Sequence, residues 1–215
     1  MSYSNLRRQA GRSSITLILV AAFSAGFGLW AAQTLIQSEK APEFAALKVF
    51  PNSRNLKDLT LESAKGELHV NDFKGKWLVL FFGYTHCPDV CPTALATLSQ
   101  AFDLMPDTPH PEVLFISVDP GRDKVEHLQD YVSYFHSDFH SATASADVLK
   151  ELTRQYSSIF FLSEPDEKGQ YNVDHTASMF VVSPHNQLYG LFSAPQNAEQ
   201  LAADFTLLSN LEIKE

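Results

Sequence analysis

Apolar residues along this chain follow three patterns. The first is an unbroken run: no residue from Ser13 to Ser38 is charged, and Ile15 to Ile36 is dense in Leu, Ile, Val, Ala and Phe, with Trp30 near its far end. The second is the short continuous stretch, seen in Trp77-Leu78-Val79-Leu80-Phe81-Phe82 and Val113-Leu114-Phe115-Ile116-Ser117-Val118. Apolar runs of this length without alternation read as strands buried on both faces. The third is periodic. Leu95, Leu98 and Phe102 follow Pro92 at helical spacing, and so do Val125, Leu128, Val132 and Phe135, and later Leu201, Phe205 and Leu208. These predict amphipathic helices over 92–102, 124–135 and 198–211, with a further one over 146–156.

Alternation marks two hairpins. Leu59 and Leu61, then Leu68 and Val70, flank Ala64-Lys65-Gly66, and Met179–Val182 and Leu188–Phe192 flank Pro184-His185-Asn186. Leu47–Phe50 reads as a short strand stopped by Pro51-Asn52, 71–76 as a loop, Ser158–Leu162 as a strand start and Glu164–Asn172 as a projecting polar loop. Residues 139–145 have no clear period; a short strand is one reading of them. The order is hairpin, strand, helix, strand, helix, helix, hairpin, helix. Strand–helix–strand units imply parallel pairing with right-handed crossovers, and the last hairpin adds antiparallel strands. The expected fold is α/β, a central mixed sheet flanked by helices.

At about 1.5 Å per residue, the uncharged run exceeds the roughly 30 Å of a bilayer core. Arg7, Arg8 and Arg12 precede it, and Glu39 and Lys40 follow. The positive-inside rule then keeps the N-terminus in the cytoplasm. A cleaved signal peptide also starts with a basic patch, but its apolar region is about 7–15 residues long and ends in a small-x-small site. Length and the Leu29-Trp30-Ala31-Ala32-Gln33 end favour an uncleaved transmembrane anchor. The division is thus 1–12 cytoplasmic tail, 13–38 anchor, 39–43 linker and 44–215 globular domain. A twelve-residue basic lead is short for a transit peptide, which points to a bacterial inner membrane with the domain in the periplasm. The alternative is the mitochondrial inner membrane, facing the intermembrane space.

All 25 Asp and Glu lie beyond the run, against 13 of the 16 Lys and Arg, a net charge of −12 for that part. Phosphate backbones and anionic lipid would repel such a surface, so nucleic acid is not expected as a partner.

Candidate chemistry sits directly after the first buried strand, where Gly83-Tyr84-Thr85-His86-Cys87-Pro88-Asp89-Val90-Cys91-Pro92 holds both cysteines of the chain. An active cysteine at that place is the layout of the thioredoxin fold. Each thiol precedes a proline, and the residue before proline is pushed out of the α region. Neither cysteine is then expected to be helical. Cys91 would cap the helix opened by Pro92, with Cys87 on the loop before it, and the helix N-terminus would favour thiolate. Three readings stand: a disulfide, a redox couple or a metal site. A disulfide closing so short a loop removes little chain entropy, and dithiol oxidoreductases commonly space their cysteines by two residues where this chain has three.

A metal site needs another ligand. Of eight histidines, His69, His110, His127, His136, His140 and His185 fall on loops or polar helix faces, and His86 points away from the adjacent sulfur if the chain is extended there. His175 differs: it lies in Tyr171-Asn172-Val173-Asp174-His175-Thr176-Ala177, just before the buried strand 179–182. Asp119-Pro120-Gly121-Arg122-Asp123 closes the second buried strand, near the cysteines at the strands' C-terminal ends.

These three stretches resemble the signatures of the Sco/SenC family, and the resemblance covers residue 43 to the end. Thr176 stands where serine is common in that family. The family consists of membrane-anchored, thioredoxin-like copper proteins of cytochrome c oxidase assembly. The resemblance implies copper, Cu(I) or Cu(II), held by Cys87, Cys91 and His175, with Asp174, Asp119 and Arg122 around them. It implies the copper-bearing subunit of cytochrome c oxidase as a partner, with a copper donor and a thiol reductant beside it. Delivery of copper is one role. Cycling of Cys87 and Cys91 as a redox-active pair, keeping the subunit's cysteines reduced, is the other. Two soft thiolates and an imidazole suit copper, whereas structural zinc prefers four ligands. Asp174 has two readings, orienting His175 or capping a loop. For Asp119 and Arg122 the plainer reading is an ion pair tying the strand end to the next helix.

Overall fold

The computed structural model describes residues 17–30, 43–105, 108–167 and 170–211. Residues 17–30 form helix α1, in which the Ser24 hydroxyl donates to the Val20 carbonyl. The tail 1–12, the rest of the expected anchor and the linker up to residue 42 lie outside the described residues. Among the described residues, no helix is long and apolar enough to cross a membrane. Residues from Phe44 onward pack into a compact unit of their own.

That unit is built on a six-stranded mixed sheet. Its strands, in spatial order, are β1 (Lys48–Asn55), β10 (Gln187–Phe192), β9 (Met179–Val182), β4 (Leu78–Gly83), β5 (Glu112–Ser117) and β6 (His140–Ala142). Two hairpins form sheets of their own, β2 (Thr60–Ser63) with β3 (Gly66–His69), which is bridged to the end of β6 through Glu62 and Thr143, and β7 (Phe160–Leu162) with β8 (Val173–His175). β4 pairs parallel with β5, from Leu78 opposite Glu112 to Gly83 opposite Ser117, and antiparallel with β9. It is buried at every residue, because it lies in the middle of the sheet with neighbours on both edges and packing on both faces. β10 alternates instead, with Leu188, Gly190 and Phe192 inward. Gly190 is required by close approach: a Cβ there would stand 2.5 Å from the Lys48 carbonyl oxygen of β1.

The helices are α2 (Val90–Leu104), α3 (Val125–Ser133), α4 (Ala146–Gln155) and α5 (Ala198–Ser209). α2 turns Ala94, Leu95, Leu98, Ala101 and Phe102 inward and packs against α5, whose Leu201, Phe205 and Leu208 are buried. Phe205 meets the rings of Phe102 and Phe192 edge-on. Each such side chain contributes about 1.5–3 kcal/mol on burial, so this layer is a large part of the core's stability.

Asp204, also on α5, is wholly buried. Its carboxylate accepts the backbone N–H groups of Ala45, Ala46 and Leu47 at 2.6, 2.8 and 2.8 Å. Three donors to one carboxylate supply the polar partners that burying this charge requires.

Three expectations are corrected. The first strand does not stop at Pro51 but runs on to Asn55, with an irregular register between Val49 and Arg54. It is an edge strand, and there a proline nitrogen can face solvent without breaking a ladder. Val70, expected in the hairpin, and residues 71–73 of the expected loop form a 3-10 turn. His175 belongs to a strand of its own, β8, paired across a hairpin with β7.

Candidate metal centre

The strand β4 ends at Gly83, and Tyr84–Asp89 carries the chain over to α2. Gly83 leaves the space that the site occupies: a Cβ there would lie 2.5 Å from Phe115 Cε2 and 2.8 Å from Cys91 Sγ. Cys91 is not the helix cap. The helix begins one residue earlier, at Val90, and its first turn closes through Thr93 N–H donating to the Asp89 carbonyl at 3.1 Å. Pro92 is compatible with this because an N–H in the first turn has no intrahelical acceptor to lose. Cys91 is fully buried and Cys87 half-buried, both as free thiols. Cys87 N–H donates to the Tyr84 carbonyl at 3.3 Å, and Cys91 N–H donates to Cys87 Sγ at 3.4 Å.

Burial also reverses an electrostatic expectation. Burial pushes the Cys91 thiol well above the ordinary thiol range, and the neighbouring Cys87 adds to this. Without a cation, desolvation outweighs the helix N-terminus at this sulfur.

His175 reaches the pair from β8, 84 residues away in sequence, with Nε2 3.3 Å from Cys91 Sγ. Its Nδ1 lies 3.2 Å from the Thr176 carbonyl oxygen. An Nδ1–H donating there leaves the Nε2 lone pair facing the sulfurs. Burial lowers the His175 pKa, which keeps the ring neutral and able to act as a ligand. Phe81 and Tyr84 meet it edge-on, at 6.1 and 5.9 Å between ring centroids. Two sulfurs and one ring nitrogen that could hold a metal ion, from Cys87, Cys91 and His175, all lie within 4.8 Å of one another, and among the described residues no other group of this kind occurs.

Asp174 faces away from the cysteines. It is exposed and stands opposite Phe161, while successive strand residues point to opposite faces. The Thr176 carbonyl, not Asp174, is the partner at Nδ1, although the Asp174 charge still acts on the ring at longer range.

Asp119 is buried, and Arg122 Nε donates to it at 2.5 Å. The pair does more than join a strand end to a helix. Arg122 Nη1 donates to the Tyr171 carbonyl at 2.9 Å, the Tyr171 hydroxyl donates to Asp119 at 2.7 Å, and the guanidinium lies 3.7 Å from the Tyr171 ring centroid. Arg122 thereby ties the chain leading into β8 to the end of β5. Asp123 secures the cysteine loop from the same side. It accepts Thr85 N–H at 2.9 Å, the Thr85 hydroxyl at 2.5 Å and the Ser117 hydroxyl at 2.6 Å. His86 Nδ1 lies 3.6 Å from that carboxylate, away from the sulfurs. Tyr171 and Gly83 carried no local signal for these roles, since their partners lie far along the chain.

Comparison with known proteins bears on the same residues. The family model described as SCO1/SenC matches residues 53–209. The chain belongs to the SCO1/SenC family. The bovine mitochondrial SCO2 homolog is 35% identical over 148 residues, which is 67% of this chain and 56% of that protein. This SCO1/SenC member therefore spans little more than half the length of that relative. The solution structure of apo Sco1 from Thermus thermophilus aligns with a TM-score of 0.68 at 34% identity, covering 79% of this chain and 99% of that one. Arabidopsis thaliana ScoI, solved with copper bound, aligns with a TM-score of 0.63 at 32% identity, covering 68% and 92%.

Proposed function

We propose that this SCO1/SenC member binds copper through Cys87, Cys91 and His175 and delivers it to the binuclear copper site of cytochrome c oxidase. The observation that carries this is the convergence of two thiols and one imidazole within 4.8 Å. The donor set fits the cargo. Two thiolates and an imidazole suit Cu(I) and can hold Cu(II) when a weaker ligand completes the shell. The buried Cys91 thiol gives up its proton on binding, so copper uptake releases protons and weakens as pH falls. Ligand exchange with an acceptor that also offers thiolate and imidazole would let copper leave without being released to solvent.

The anchor over 13–38 would hold the domain at a membrane, in the periplasm or, alternatively, the intermembrane space. The test is copper stoichiometry and spectrum of the reduced protein, with and without His175. One copper per chain is expected, with His175→Ala weakening Cu(II) far more than Cu(I). Unchanged Cu(II) binding in that variant removes His175 as a ligand.

One observation favours a second reading. The thiols are unequal, Cys87 half-exposed and Cys91 buried, as suits a couple in which one sulfur attacks a disulfide and the other resolves it. In this reading the chain reduces the cysteines of the oxidase's copper-bearing subunit. Turnover on a disulfide substrate that survives His175→Ala supports it, and loss of turnover in that variant argues against it.

A further inference from the structure

Among the described residues, the β7–β8 hairpin that carries His175 has an outer edge with no strand on it. Thr176 N–H donates to the Ile159 carbonyl at 3.1 Å and Ser163 N–H to the Asn172 carbonyl at 2.9 Å, while Phe161 stands opposite Asp174. Residues 159, 161 and 163 therefore turn their backbone groups toward β8. By the alternation of an antiparallel ladder, Phe160 and Leu162 turn theirs outward. β7 pairs with β8 alone, so among the described residues that outer row of donors and acceptors faces no strand.

The same segment is where exposed apolar surface concentrates. Ile159, Phe161 and Leu162 are 61%, 64% and 51% exposed. Among the other described residues of the compact unit, large exposed apolar residues stand singly along the chain: Val49, Val90, Leu104, Tyr134 and Leu207. An unpaired apolar edge is a liability that soluble proteins normally blunt with charge, proline or cover. Here it is kept beside the site, since Phe160 is the direct cross-strand neighbour of His175. Charge along the hairpin is predominantly negative. Between residues 159 and 175, Glu164, Asp166, Glu167 and Asp174 stand against Lys168 alone.

We propose that the outer edge of β7 docks the protein that receives copper from this site, by accepting an extended segment of it as a third strand. The inference rests on the copper-delivery reading for the partner's identity. The fitting segment alternates, with its apolar residues on the face that Ile159 and Phe161 share, and carries Lys or Arg where it passes the acidic loop. Main-chain bonds to Phe160 and Leu162 give affinity, and the side chains and charge give selectivity. A strand added there lies about 5 Å beyond β7 and about 10 Å from β8, which holds the partner beside the hairpin that carries His175.

The edge geometry allows a selective test. Leu162→Pro removes one outward N–H and leaves the bonds of 159, 161 and 163 to β8 in place, and proline accepts an extended residue before it. Phe161→Lys, a surface change without backbone effect, tests the apolar and charge terms. The purified full chain would be titrated with the soluble copper-site domain of the oxidase's copper-bearing subunit, with binding and copper movement both followed. Wild type should bind, and each variant should weaken binding by about tenfold or more, which is about 1.4 kcal/mol. Melting temperature and copper affinity should stay unchanged.

Wild-type affinity in both variants, or no binding by wild type, overturns the docking site. A wild-type dimer that Leu162→Pro dissolves assigns the edge to a second copy and also overturns it. Binding that the variants weaken but that moves no copper upholds the docking site and defeats copper delivery instead.

Discussion

Gly83→Ala should weaken copper binding at the site while leaving the fold standing. Gly83 ends β4 with φ outside the left-handed region, so alanine meets no backbone penalty there and the cost is steric. The added Cβ would lie 2.5 Å from Phe115 Cε2 and 2.8 Å from Cys91 Sγ. Ordinary carbon contacts are about 3.5–4.0 Å, so each neighbour must retreat by about 1 Å. Neither can do so freely, since Phe115 and Cys91 are both fully buried. Overpacking of this kind costs about 1–3 kcal/mol, against a typical domain stability of about 5–15 kcal/mol. The variant should therefore fold with a lower urea midpoint.

The sulfur is less tolerant than the fold. Metal–ligand distances hold to within about 0.2 Å, so a shift of Sγ several times that size should weaken Cu(I) by about tenfold or more, about 1.4 kcal/mol. Competition against a chromophoric Cu(I) chelator under anaerobic, reducing conditions measures this, with urea titration run in parallel. A folded variant with wild-type Cu(I) affinity refutes the claim that Gly83 reserves the space for the Cys91 thiol.

Asp204→Asn replaces a carboxylate that accepts three backbone N–H groups with an amide that can turn only one oxygen to them. Charge-assisted bonds contribute about 1.5–3 kcal/mol each, so a loss of about 3 kcal/mol in chemical denaturation is expected, and a loss below about 1 kcal/mol would contradict it. Arg122→Lys keeps the charge but gives up the planar contact with Tyr171 and the fork that spans Asp119 and the Tyr171 carbonyl. Amide exchange at Val173–His175 in metal-free protein should speed up and Cu(II) affinity should fall, with neither effect seen if the clamp is ornamental. At Glu112, burial raises the carboxyl pKa, but hydrogen bonds from Lys76 and His140 outweigh it and leave the pKa lowered. That stability is present above the unfolded carboxyl value of about 4.3 and is lost as pH falls through the folded value. Glu112→Gln should therefore flatten the acid limb of stability against pH, and parallel limbs would exclude the effect.

How legible the molecule was depended on whether each feature was local. The runs 77–82 and 113–118 announced β4 and β5, because strands surrounded on all sides leave no position for a polar residue. Spacing placed the helices, but not the start of α2, which takes in Val90 and Cys91 ahead of Pro92. β8 was invisible because Val173-Asp174-His175 has one apolar residue in three, and only its pairing with β7 makes it a strand. β1 was cut short because the local rule against proline gave way to pairing with β10. That Cys87, Cys91 and His175 belong together was readable as residue types in motifs, and their convergence within 4.8 Å matches it. The upward shift at Cys91 was not readable, since it comes from burial by elements distant in sequence. The tie from Arg122 to Tyr171, across 49 residues, had no sequence signal either.

The grip of Asp204 on Ala45–Leu47 decides how this unit responds to mechanical load. Without that grip, a pull from the N-terminal side would meet β1 first, and an edge strand loaded at its end would peel from β10 one bond at a time. The carboxylate stands upstream of β1 and takes that load first. Through Asp204 the force passes into α5, and from Phe205 into the packed layer with α2, where many contacts must yield together. The fold is thus braced where the chain enters it, and the cysteine loop at the start of α2 lies downstream of that brace.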